Sequence, residues 1–158
     1  MRGARHARVY GLVALAALVA GCGSGAYTKS DFVARANAIC TSTLRKTRAL
    51  PPPASTSQPG GAPAAYLGQL VPLVQSEANQ LRALKRPSDN ARDSATLTAY
   101  YTALEQVVEN YQQLEAAARR GDTQTMTEVE ATLRGSPVAT LAASYGLRSC
   151  GTPGSTSA

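Results

Sequence analysis

Four glutamates are spaced so that they could meet. Glu105 and Glu109 stand one helical turn apart, and Glu128 and Glu130 follow beyond Gly121-Asp122, a dipeptide that stops one helical pattern and opens the next. Carboxylates converging from two helices can bind a pair of metal ions in a bundle, hold calcium or magnesium, or serve as the acid and base of glycoside hydrolysis. The composition argues against the first, and a small bundle offers no evident sugar cleft for the last. Bundle di-metal sites add Glu-x-x-His pairs, and the single histidine, His6, lies in an N-terminal segment that reads as removed on maturation. What then remains has no imidazole for acid–base catalysis or metal ligation, and Trp is absent. No Gly-rich phosphate loop, Gly-x-Ser-x-Gly elbow or zinc-type spacing occurs. The glutamates read as solvated faces of amphipathic helices. No catalytic residue, metal or cofactor is expected, and a carboxylate-based hydrolase is the remotest alternative.

Tyr100, Tyr101 and Tyr111 fall within one helical stretch, where Tyr66 and Tyr145 could face them. An apolar ring with a polar tip suits either the edge of a core or the wall of a binding groove, and both readings stay open. Tyr100, Tyr101, Tyr111 and Tyr145 are therefore the candidate ligand or interaction residues. Arg45, Lys46 and Arg48 end one helical pattern and Arg82, Lys85 and Arg86 end the next, where the helix dipole stabilises cations. The two sets could also join into one basic rim that touches anionic lipid or wall polymer.

The 158 residues allow one domain, and some of them are a leader. Arg2, Arg5 and Arg8 precede an apolar run, Val9–Ala20, too short to span a hydrocarbon core as a helix; this is the pattern of a secretory signal. Its end, Leu18-Val19-Ala20-Gly21-Cys22, resembles the bacterial lipobox. The resemblance implies cleavage after Gly21, a diacylglyceryl thioether on Cys22, and a protein held in membrane lipid at the outer face of the cytoplasmic membrane, where several acyl chains anchor stably. Removal of residues 1–21 leaves 137 residues and lowers the formal charge from +6 to +3, which calls for no nucleic-acid partner. Outside the cytoplasm thiols persist as disulfides. With Cys22 committed to lipid, Cys40 and Cys150 have only each other, and their bond would staple the two ends of the domain.

The remaining chain must position these groups. Residues 22–30 carry the lipidated cysteine and a short, flexible tether of small residues. Ser30 with Asp31 suits a helix start, and Phe32, Ala36, Ile39, Cys40 and Leu44 give a first helix over 31–49, ended by Pro51-Pro52-Pro53. After a Pro- and Ser-rich loop to Pro63, a stripe of Leu67, Leu70, Val71, Val74, Ala78, Leu81 and Leu84 predicts a second helix over 64–85 that Pro72 either kinks or shortens. Leu97, Tyr101, Leu104, Val108, Tyr111 and Ala118 form a bundle seam over 89–120. Asp122 caps a fourth helix that Pro137 kinks or splits into 122–134 and 137–145, with Gly146 suited to its left-handed end. Residues 151–158 read as a disordered tail. No stretch alternates with period two, so the fold class is all-α: a four-helix up-and-down bundle over 31–150 with its ends joined by a disulfide.

The lipobox, the segment Asp31-Phe32-Val33-Ala34-Arg35-Ala36-Asn37-Ala38-Ile39-Cys40, the proline-rich break, the Gly121-Asp122 hairpin and the closing Tyr145-Gly146-Leu147-Arg148-Ser149-Cys150-Gly151 together resemble small lipoproteins of high-GC Gram-positive bacteria. The resemblance implies a lipid-anchored, disulfide-closed helical bundle and carries no molecular activity with it. The function expected is non-catalytic binding of an envelope protein or wall polymer, with carriage of a small apolar ligand between the helices as the alternative.

Overall fold

The computed structural model describes residues 26–52, 61–88 and 90–151; the leader, Cys22, most of the proline-rich loop and residues 152–158 lie outside it. The described chain forms five α-helices and no strand: α1 (Lys29–Arg48), α2 (Gly61–Ala83), α3 (Ala91–Arg120), α4 (Thr123–Arg134) and α5 (Val138–Tyr145). They pack as a helical bundle closed by a Cys40–Cys150 disulfide.

The chain's own chemistry sets the helix ends. The cap of α1 is Thr28, not Ser30, because Asp31 sits three residues after Thr28 and completes a reciprocal box: the Asp31 amide donates to the Thr28 hydroxyl and the Thr28 amide to the Asp31 carboxylate, at 3.2 and 2.9 Å. Those bonds hold the Asp31 carboxyl below its usual range. Helix α2 starts earlier than expected, at Gly61, with Pro63 in a first turn where a missing amide costs nothing. It runs through Pro72, whose side chain is exposed and whose missing amide takes the helical donor from the carbonyl four residues back. Asn90 caps α3 by accepting from the Asp93 amide. At the far end of α3, Gly121 adopts φ 68°, and the amides of Gly121 and Asp122 bond back to the carbonyls of Ala118 and Ala117. Asp122 then caps α4 through the Thr125 amide. Pro137 splits what the periodicity reads as one helix, ending the gap between α4 and α5. Gly146 repeats the left-handed ending at φ 102° and turns Leu147 into the core.

Helix α3 is the shared wall: α2, α4 and α5 all pack on it, and α1 packs on α2. The larger core unites Phe32, Ala36 and Cys40 of α1, Ala78 and Leu81 of α2, Leu97 to Val107 of α3, and Val138, Ala142 and Tyr145 of α5. Phe32 and Tyr145 meet edge to face at 5.7 Å. The Tyr101 hydroxyl donates to the Leu81 carbonyl at 2.7 Å, beside the Leu84 amide that donates to the same oxygen at the end of α2. A smaller core of Leu67, Leu70, Val74, Leu114, Ala118 and Val129 lies between α2, α3 and α4, with Leu50 from the end of α1 against its edge.

The disulfide closes a separation of 110 residues. On the chain-entropy model a loop of that size contributes roughly 4–5 kcal/mol. Cys40→Ser is therefore expected to lower the thermal midpoint by roughly 15 °C, read by calorimetry. An unchanged midpoint would contradict a stabilising bond.

Candidate functional site

The carboxylates do not converge. Glu105 pairs with Arg82 at 3.1 Å, Glu115 with Arg119, and Glu130 with Arg134 at 3.8 Å, each in its own surface ion pair. Glu128 accepts from the Gln124 amide, and Glu109 is exposed. Among the described residues no group of three or more His, Cys, Asp or Glu lies close enough to hold a metal ion.

The tyrosines separate into two sets. Tyr100, Tyr101 and Tyr145 are buried in the larger core. Tyr111 is half-buried on the opposite half of α3, beside the smaller core. There α2 and α4 both rest on α3, and their backbones do not approach each other closely. The gap between them is a groove of about 540 Å³. Leu67 and Leu70 form one wall, Tyr111 and Leu114 the floor, and Met126 and Leu133 the other wall, with Tyr66 at the edge and Glu130 and Arg134 on the rim. Burial raises the Tyr111 hydroxyl above its usual range, and the neighbouring Tyr66 adds to the effect. Tyr101 contributes nothing to the groove, since it lies at the level of Leu81. A further hollow beside Pro72 draws all of its lining from α2, so it is a feature of one helix surface and not a cleft between elements.

The single basic rim considered from the sequence does not form. Arg86 lies over the Tyr101 ring and donates to Thr98, and Arg82 reaches Glu105, which places that set beside the first half of α3. Arg45, Lys46 and Arg48 end α1 two residues short of Leu50, which packs on the smaller core beside the other half of α3.

One residue went unnoticed in the sequence. Glu77 is 7 % exposed, facing α1 and α3 from the middle of α2. Its signal is there in retrospect: Leu67, Leu70, Val74, Glu77, Leu81 and Leu84 alternate at spacings of three and four, so Glu77 fills an apolar seam position. Burial drives its carboxyl up to about 7, and a hydrogen bond from Thr43 of α1 only partly offsets this. Thr43 and Thr47, also buried, stand on the face of α1 that meets α2. From α3, the fully buried Tyr100 brings a hydroxyl that has no hydrogen-bond partner among the described residues. Burial raises that hydroxyl above its usual range, and the negative charge of Glu77 raises it further. A carboxyl that can change charge near neutrality but is shut away from solvent suits linkage of protons to packing better than work on a substrate.

Comparison of the chain with protein-family models, curated proteins and solved structures returns no match. Among the described residues no helix is long and apolar enough to cross a membrane.

The raised carboxyl fixes a direction for stability. Folding holds the Glu77 proton to a pH near 7, whereas the ordinary value is 4.5, so stability is highest below 4.5, falls as pH rises to about 7, and then levels. The full span is at most roughly 3 kcal/mol. Glu77→Gln is expected to remove this slope and to raise the denaturation midpoint at pH 8. Equal midpoints for the two proteins at pH 8 would contradict it.

Proposed function

We propose that this chain is a non-catalytic binding module, held at the outer face of the cytoplasmic membrane by acylated Cys22, and that its contact surface is the groove between α2, α3 and α4. The groove carries this reading. Apolar side chains of three helices line this cleft and leave it open to solvent, and mostly apolar clefts with a few polar groups at the rim are the usual form of a binding site. Its place in the molecule supports the anchored orientation. Lys29, at the root of the tether, pairs with Asp93 at the start of α3 at 2.9 Å. Tyr111 and Leu114 stand 18 and 21 residues further along the same helix. At 1.5 Å per residue that is about 27–32 Å, so a molecule tethered at α1 presents the groove away from its anchored end. An up-and-down order of the helices belongs to the same reading. It is supported by the meeting of the α1 and α3 starts and by the Tyr101 bond to the end of α2.

The partner in this reading is an envelope protein or wall polymer. Carriage of a small apolar ligand is the second reading, favoured by a groove volume within the range of small-molecule sites.

A photo-activatable side chain in place of Tyr66 is expected to yield adducts in the producing cell, whereas the same group in place of the exposed Gln106 is not. Equal yields at both positions would remove the groove as the contact surface, and the adduct mass separates a macromolecular partner from a small ligand. Anchoring has its own check: Cys22→Ala is expected to lose processing and membrane retention, and a variant that fractionates like the parent with its normal processed mass would count against the lipobox.

A further inference from the structure

The end of α1 is attached to the molecule in a peculiar way. Its backbone packs on α2 alone among the helices. Its first half is held three more times: by Lys29 on Asp93, by Asn37, which donates to the Gly146 carbonyl and accepts from the Ser149 amide, and by the Cys40–Cys150 disulfide. Beyond Cys40 none of these restraints acts. The last two turns are held to α2 by buried Thr43 and Thr47, and they meet there the one buried carboxylate described, Glu77. Arg45, Lys46 and Arg48 on the same turns are exposed and make no ion pair among those described.

We infer that Glu77 is a proton-operated clasp: with its carboxyl neutral, residues 43–50 lie closed on α2, and when it ionises these turns open while the first half of α1 stays in place. The groups facing Glu77 decide this. From α1 the Thr43 hydroxyl donates to it, and from α3 the Tyr100 phenol lies near enough to feel its charge without bonding to it; no Lys or Arg of either helix compensates that charge. A neutral carboxyl can lie in this seam as a polar group hydrogen-bonded to Thr43, with no charge for its surroundings to compensate. An ionised one places an uncompensated charge in a packed seam, where water is the only remedy. Water reaches it most easily where α1 is least restrained. The transition falls near neutral pH.

Opening also has a consequence at the groove, and this part rests on the binding function proposed above. Leu50 packs on the cluster of Leu67, Leu70 and Leu114 that backs the groove, so lifting residues 43–50 withdraws one support from it. The clasp itself does not depend on what the groove binds.

The experiment is amide hydrogen exchange of the full chain at pH 6 and pH 8, corrected for the intrinsic rate and read separately over 29–40 and 43–50. Protection over 43–50 is expected to fall about tenfold or more at pH 8 while 29–40 keeps its protection, the mark of local and not global opening. In Glu77→Gln the same segment is expected to stay protected at both pH values. Equal protection of 43–50 at the two pH values in the parent protein overturns the clasp, whether or not the variant folds. Loss of protection over both segments together also overturns it, because that is general unfolding. Photo-crosslinking at Tyr66 at the two pH values tests the groove separately. An unchanged yield alongside a pH-dependent 43–50 would leave the clasp standing and remove only its link to binding.

Discussion

The covalent bond between Cys40 and Cys150 is the constraint on which the rest of this bundle depends. Helix α1 packs its backbone on α2, and α5 packs on α3, so the first and last helices have separate neighbours. The disulfide, together with the two hydrogen bonds of Asn37, brings them onto one core, where Phe32 can meet Tyr145 and Lys29 can lie 4.5 Å above the Tyr145 ring. A small domain with few aromatic residues has little surplus stability, and shortening the unfolded ensemble by a long closed loop is a large share of what it has.

Two unequal halves follow from that closure. Where the disulfide lies, α1, α2, α3 and α5 enclose the core and its tyrosines are sealed inside. Toward the other end of α3 only α2 and α4 accompany it, with Leu50 at the margin. Two helices laid on a third with their backbones apart leave apolar side chains lining an open seam. The groove is thus a direct result of using five helices, two of them short, where four long ones would have closed both ends.

Much of this was legible in the residues. Gly121 and Gly146 end helices in the left-handed conformation because no other residue adopts it so cheaply, and Pro137 divides a helical pattern because it cannot continue one. The Cys40–Cys150 pairing is the one that the lipobox resemblance at Cys22 leaves to the sequence, and the structure shows it. The cap at Thr28 was missed because Ser30 also offers a hydroxyl; what decides is the carboxylate three residues on, which Thr28 has in Asp31. The two basic sets stand apart because Arg82 and Arg86 lie beside the first half of α3 while Leu50, next to Arg48, packs beside the other half, which periodicity alone does not express. Glu77 was passed over because a stripe is usually read from its apolar members; the same spacing that picks out Leu67, Leu70, Val74, Leu81 and Leu84 marks the one member that does not belong. The groove lay beyond reach for a different reason. Amphipathic pattern tells which face of a helix is buried, not whether two such faces meet.

The position of the disulfide also divides the molecule mechanically. Force entering through the chain before Tyr27 would pass into α1, but three turns later Cys40 offers a covalent route to the C-terminal segment and from there to α5 and α3. Residues 43–50 lie past that junction, off the covalent route through the disulfide. Tension applied ahead of α1 is thereby led away from the contact between the end of α1 and α2, where Glu77 lies.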